Sequence, residues 1–415
     1  MFKNQKRLLM FTSVFLMSVI LFGAFIPALT ATETEEQTTN ILSQIDMMAL
    51  KECDKNTYCV EVYGNIIEYF PTTVTLTEYG TTTEVIYPDE FAGAYIDESN
   101  NLHVVLTNNV YSETKYDYQK ITDYDNDIVF NVAEFSLSLL HSVQKTLDEV
   151  MVELGIEGTI LNEITNKVEI HMFDVTNKND VVEFLKIKFD KFNDNCIDFK
   201  GPLGLKTTAS NTASNALAGS KCTESVYSAT LGFNAYRTSE GKYGVVTAAH
   251  FATSGASIKN AMGTTIGGAS IRQMSGTVDA AFIPFPSGIT KSYKLCTSSV
   301  YDDITGYRAS ANVVIGMATR KYGIASGLTY GKVLSTSGTI SVSGITFTSQ
   351  IIVSNTQYEG DSGGPVVDDM LGPFQSSPFP CNIMGIATIR DDNYYGYVSK
   401  IENVMSVLGV SPYTY

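Results

Sequence analysis

From Cys222 to the C-terminus the chain is written in short apolar runs separated by clusters of Gly, Ser and Asn: "ATLGFNAYR", "YGVVTAAH", "DAAFIPF", "ANVVIGMA", "ITFTSQIIVSN", "CNIMGIATI", "YYGYVSKI". Each run is short for a helix and rich in the β-branched and aromatic residues that suit a pleated surface. That rhythm constrains the fold more than any other feature, because many short strands in sequence must pack as a sandwich or as closed barrels. Only "SKIENVMSVLGV" departs from it. There Ile401, Val404, Met405 and Leu408 fall at helical spacing, which predicts one C-terminal helix.

The front of the chain reads differently. "GAYIDESNNLHVVLTN" alternates apolar residues on both sides of a polar turn, Asp97 to Asn101, which predicts a hairpin. Ala133 to Leu154 carries apolar residues at helical spacing, with Gly155 placed to stop it. "TNKVEIHMFDV" alternates like a strand, and "TNKNDVVEFLKIKFDKF" offers Asn and Asp caps before a second amphipathic helix. This is a mixed α/β unit. It is also where the acidity lies: the first 218 residues hold 32 acidic and 15 basic side chains, and the remainder is close to neutral. Between the halves runs "KTTASNTASNALAGSK", residues 206–221, with the composition of an exposed linker.

At the N-terminus Lys3, Lys6 and Arg7 precede an apolar run, and "IPALTA" offers small residues for cleavage near Ala28 or Ala31. Residues 1–31 therefore read as an export signal, with an uncleaved anchor as the alternative. The expected place of the mature chain is extracellular, secreted or at the cell surface, with no membrane contact once the signal is gone. Six cysteines without a Cys-x-x-Cys pair match no zinc pattern, and export permits disulfides. No block of Lys and Arg suggests nucleic-acid binding. Nothing calls for a metal or another cofactor.

Function is concentrated in "TQYEGDSGGPVVDD", where Gly360, Ser362 and Gly364 flank a serine as a tight exposed turn would require. A serine hydroxyl needs a base, commonly His, oriented by a carboxylate. Of four histidines, His103, His141 and His171 lie in the front half and read as structural; only His250, in "GVVTAAHFA", shares the all-β half with Ser362. No His follows Ser362, which excludes the order used by α/β-hydrolases, and Gly363-Gly364-Pro365 would disfavour the helix that follows their nucleophile. For the acid, Asp279 opens the apolar strand "DAAFIPF", where burial would be costly without a partner such as the His250 ring. Asp302 and Asp303 are the rivals, read as a solvated loop in "YDDITGY".

Together "TAAH", "DAAFI" and "GDSGGP" resemble the trypsin/chymotrypsin-like serine proteases, and the short His250–Asp279 interval resembles their compact bacterial branch of the alpha-lytic protease and streptogrisin type. The resemblance spans about Cys222 to Tyr415 and implies two six-stranded β-barrels with a C-terminal helix. It also implies a catalytic triad of His250, Asp279 and Ser362, and an oxyanion hole from the N–H groups of Gly360 and Ser362. Asp361 would then form a buried ion pair with Arg320 or Lys321. The front half, residues 32–205, is similar to that branch's pro-regions, so the implied product is a secreted endopeptidase made as a zymogen, acting on protein or peptide substrates and partnered by its own pro-region. The primary pocket would lie between Thr356–Glu359 and Thr388–Arg390, with Gly396 opposite. Thr356 stands where Lys- and Arg-selecting members carry Asp, so a medium apolar side chain is expected, or an acidic one if Arg390 reads it. The branch's cysteine after the histidine and its partner are replaced by Phe251 and Ala229, so packing must hold this strand. Cys222 could reach Cys296, and Cys53 could close a loop with Cys59. The competing reading is a catalytically silent binding or adhesion protein on the same scaffold.

Overall fold

The structure is a computed structural model that describes residues 55–77, 80–107, 118, 128–202, 216–296, 301–369, 380–391 and 395–415. The expected export signal, Cys53 and most of the 206–221 linker lie outside them. Among the described residues no helix is long and apolar enough to cross a membrane.

The rear half is mostly β. A five-stranded sheet runs in the order Ile271–Ser275, Val278–Pro284, Lys242–Thr247, Asn234–Arg237, Val410–Pro412. Facing it is a four-stranded sheet ordered Tyr227–Thr230, Lys221–Glu224, Ile258–Asn260, Thr265–Gly267. Leu231, Val245, Ile258, Ile266, Ala281 and Ile283 fill the space between. Phe251 and Ala229 belong to the same cluster, so apolar contact stands where the resemblance places a disulfide.

Six further strands pair in a circuit, with Tyr301–Tyr307 and Lys294–Cys296 attached beside Pro380–Arg390. Ala318–Gly323 pairs with Gly327–Val342, which pairs with Ile345–Val353 and then Gly396–Lys400. From there the ladder passes to Pro380–Arg390 and Pro365–Asp368, and back to Ala318–Gly323. The helix Ile401–Leu408 follows, burying Ile401, Val404 and Leu408, the residues its spacing marks as one face. Among the described residues the packing of this half reaches back to Ala216, six residues ahead of Cys222: Ala216 and Ala218 are buried, and Asn234 Nδ2 donates to the Ala216 carbonyl.

In the front half a helix through residues 55–68 lies against a sheet of Phe91–Ile96, Leu102–Thr107 and Ile128–Ala133. The first two strands form the expected hairpin, antiparallel with Ile96 opposite Leu102. The expected helix is shorter than its apolar pattern, Leu137–Asp148, because Ala133 ends a strand and the Ser136 side chain caps the start by accepting Leu139 N–H. The second helix is Lys178–Lys188.

One feature had no signature in the sequence. Strand Ile156–Asn162 pairs with Gly338–Ile340 of the rear half, so the two halves share a sheet that continues through Lys167–Met172 to Ile197–Lys200. Beside this seam lie buried polar contacts. Thr339 Oγ1 donates to Asp148 Oδ2 at 2.8 Å, Ser337 Oγ to Gln144 Oε1 at 2.9 Å, and Thr336 Oγ1 to Glu163 Oε1 at 2.9 Å.

Two expectations are corrected. Cys222 and Cys296 form no bridge, and all five described cysteines are free thiols. Cys222 points into the apolar core, its thiol donating to the Ala229 carbonyl at 3.4 Å, and Cys59 likewise donates to the Asn100 carbonyl at 3.3 Å. Asp302 is not solvated: it lies on strand Tyr301–Tyr307, is 3% exposed, and accepts from Arg320 Nη1 at 2.8 Å and from the Tyr322 hydroxyl. A buried cation holds Asp302, while half-buried Asp303 takes the partly exposed Lys294 ammonium.

Candidate active site

His250 follows strand Lys242–Thr247, and Asp279 is the second residue of Val278–Pro284, which pairs with it. Asp279 is wholly buried, a cost that only good hydrogen bonds offset. Its Oδ1 accepts the backbone N–H of His250 at 2.9 Å, and its Oδ2 makes a short hydrogen bond with His250 Nδ1. A carboxylate only accepts, so Nδ1 carries the proton and Nε2 is left as the ring's acceptor. The His250 side chain is 26% exposed. Burial and Arg272 push its pKa down, but the charge and hydrogen bond of Asp279 outweigh both, and the pKa is raised above the ordinary histidine value.

Ser362 stands on a turn that two glycines make possible. Gly360 has φ +95° and Gly363 φ +85°, the left-handed region that disfavours a side chain. A Cβ on Gly363 would lie 2.4 Å from Thr247 Oγ1 and 2.5 Å from the Thr230 carbonyl, so the turn is pressed onto both sheets of the first unit. Three backbone hydrogen bonds lock it there. Thr230 N–H donates to the Ser362 carbonyl at 3.0 Å, Gly363 N–H to Ala387 at 2.7 Å, and Gly364 N–H to Asp361 at 2.8 Å. Among the described residues the N–H groups of Gly360 and Ser362 have no partner, although both residues are buried. Backbone N–H groups left free beside a serine can stabilise negative charge that develops on an oxygen.

Asp361 points inward. Its Oδ2 meets Lys321 Nζ at 2.7 Å, with both side chains fully buried, and Oδ1 accepts N–H groups from Ala325 at 2.8 Å and Ser326 at 3.1 Å. Burial pushes its carboxyl up, but Lys321 and these hydrogen bonds prevail and hold it below the usual carboxylate range. Of the two expected partners Lys321 is the one engaged; Arg320 faces Asp302 and Asp369 instead.

The structure thus brings His250 and Asp279 into contact and seats Ser362 on the adjoining turn. The Ser362 hydroxyl donates to the Thr388 carbonyl at 3.3 Å, and among the described residues no hydrogen bond joins it to His250. Thr388 and Arg390 lie on strand Pro380–Arg390, where Arg390 pairs with Gly396. Thr356 and Glu359 are half-buried on the loop leading to Ser362. Arg390 is 8% exposed, so it is not the solvated arginine its place near a pocket entrance suggests. Gln357 was not singled out by the sequence: it is 2% exposed, and its Oε1, unpartnered among the described residues, sits 2.6 Å from where a Gly396 Cβ would be. A glutamine in a polar loop carries no mark of burial, and only the packing reveals it. Among the described residues no group of three or more His, Cys, Asp or Glu side chains is placed to hold a metal ion.

No protein-family model and no curated protein matches the chain. Among solved structures it is similar to Thermobifida fusca Protease A at 16% identity, covering 49% of this chain and 100% of that one with a TM-score of 0.39. It is likewise similar to Cellulomonas bogoriensis chymotrypsin (17% identity, 49% and 100% covered, TM-score 0.40) and to Nocardiopsis protease (19%, 48% and 100%, 0.38). The resemblance is thus to chymotrypsin-like bacterial serine proteases, over about half the chain.

Proposed function

We propose that this chain is a serine endopeptidase of the chymotrypsin-like type, with Ser362 as nucleophile, His250 as general base and Asp279 as the group that orients it. The observation that carries this reading is the buried Asp279 carboxylate gripping both the backbone amide and the ring of His250, the only histidine of the all-β half. Held in that tautomer, Nε2 would take the Ser362 proton as Oγ attacks a peptide carbonyl, then pass it to the leaving amine; Asp279 stabilises the charged ring between the two events. The oxygen that gains charge would be met by the N–H groups of Gly360 and Ser362. Water, deprotonated by the same ring, releases the acyl group and restores the serine.

Peptide and protein substrates follow from that chemistry. Thr356, Glu359, Thr388, Arg390 and Gly396 would line the primary pocket, with a medium apolar side chain as its occupant. The scaffold would be two six-stranded barrels, a proposal supported in the second unit by the circuit of pairings and in the first by two facing sheets over one apolar cluster. The front half would be a pro-region in an exported zymogen. Supporting this, Ser335, Ser337 and Thr339 are polar residues buried at the seam, which suits a surface that meets water once its cover is cut away.

Hydrolysis of an unfolded protein by the processed chain, with fragments read by mass spectrometry and Ser362→Ala as control, tests the reading; equal fragmentation by both would sink it. One observation favours the silent-scaffold reading: the Ser362 hydroxyl rests on Thr388 rather than His250. Catalytic hydrogen bonds often tighten only when substrate binds, so the same assay decides between the two.

A further inference from the structure

Asp279 and Ser362 come from different sheets, and a misplacement of about 1 Å between reacting groups can cost roughly a hundredfold in rate. Between them runs a polar chain that neither the triad nor the oxyanion hole explains. Thr388, Ser399 and Gln350 are each 1% exposed or less. Gln350 Nε2 donates to the Thr277 carbonyl at 2.9 Å and the Thr348 carbonyl at 2.8 Å. Carbonyls only accept, so the amide has one orientation, and its Oε1 must face Ser399 Oγ, 3.1 Å away. The Ser399 proton is therefore committed to Gln350. Its lone pairs remain for the Asp279 backbone N–H at 3.1 Å and for the Thr388 hydroxyl at 2.9 Å. Thr388 in turn supplies the carbonyl on which the Ser362 hydroxyl rests at 3.3 Å.

Gln350 thus fixes the direction in which Ser399 donates, which leaves the Thr388 hydroxyl as the donor to Ser399, with the Ile386 carbonyl as its longer second acceptor at 3.4 Å. The Gln350 side chain also clamps the turn that enters the Asp279 strand, because Thr277 lies two residues before Asp279 and the neighbouring Gly276 exchanges backbone hydrogen bonds with Thr346 and Thr348 at 2.9 and 2.7 Å. Apolar side chains would fill this dry space without the desolvation that three polar ones incur, so packing alone does not account for them.

We propose that Gln350 and Ser399 are positioning residues, holding the Asp279 strand in register with the strand of Thr388 and thereby setting His250 relative to Ser362. This rests on the reading of the site as a serine peptidase. Its test is built to separate the two.

Ser399→Ala and Gln350→Met remove the hydroxyl and the amide with little change of volume. Two measurements follow each variant, and both variants leave in place the side chains of Asp279 and Arg272, the charged groups that face His250. In the full chain, labelled with 15N-histidine, His250 should titrate at a lower pH than in wild type, because a loosened carboxylate supports the charged ring less. In the processed chain kcat should fall about tenfold while KM stays within about twofold. The double variant should be no worse than the poorer single, as expected for members of one chain. An unchanged His250 titration overturns the proposal, even where a variant loses activity through a weakened fold. If wild type cleaves nothing, the peptidase reading fails, and the His250 titration still decides whether these residues position the ring.

Discussion

A carboxylate buried without water is held by what it binds, and Asp279 binds one histidine twice. Asp279→Asn keeps the shape but replaces an acceptor by an amide that can favour the wrong ring tautomer; kcat/KM should drop about 10⁴-fold with the fold intact, measured on a peptide substrate. The wild-type profile carries a further signature. His250 must be neutral to act as a base, and Asp279 raises its pKa, so kcat/KM should fall with decreasing pH through a value above the ordinary histidine one. A limb at or below that ordinary value would contradict the assignment. Gly363 bears a different burden: an alanine there meets Thr247, Thr230 and Ala248 within 2.7 Å at φ +85°. Gly363→Ala should cost about 2–5 kcal/mol in denaturant unfolding, the sum of left-handed strain and overpacking. The His250–Asp279 contact was legible because few residues could serve: one histidine on the serine's side of the linker, and one acid opening an apolar strand; the crowding at Gly363 was not, since it depends on strands distant in the chain.

Strand Ala318–Gly323 shows how one element fixes two loops. Its Lys321 secures the Ser362 turn through Asp361, and its Arg320 secures the Tyr301–Tyr307 strand through Asp302. Lys321→Met leaves Asp361 buried and unpaired, and should destabilise the chain by about 3–5 kcal/mol in urea unfolding at neutral pH. The sign with pH follows from the depressed carboxyl. Its contribution in wild type is present above the ordinary aspartate pKa and is lost as pH falls through the lower folded value. In the variant burial is opposed only by the remaining N–H donors of Ala325, Ser326 and Tyr358, so its deficit should shrink as acid neutralises Asp361; a deficit constant with pH would contradict the pairing. Here the sequence was only half readable. "ATRKYG" offers two cations, and alternation along a strand cannot say which faces which loop until the partner strands are known. Asp302 looked solvated for the same reason, since the arginine that pairs with it in the core lies elsewhere in the chain.

Across the whole molecule, the halves meet through a shared sheet whose seam is polar and titratable. Pairing of Gly158–Ile160 with Gly338–Ile340 joins segments far apart in sequence, and no local pattern encodes a strand's partner at that range. Asp148 sits at the seam, held by Thr159 and Thr339; burial pushes its carboxyl up to about 6. A raised acid stabilises the joined state below its ordinary value, and that contribution is lost as pH rises through about 6. Asp148→Asn should therefore gain stability over wild type as pH increases across this range, read by thermal unfolding; a gap that does not change with pH would contradict this. The central claim, however, is the activated serine. We would treat the full and processed chains with a fluorophosphonate probe and map the adduct by mass spectrometry, beside His250→Ala. A stoichiometric adduct on Ser362 in the processed fragment, lost in the variant, is the predicted result. A folded, processed fragment that takes no label, or labels equally without His250, would contradict it.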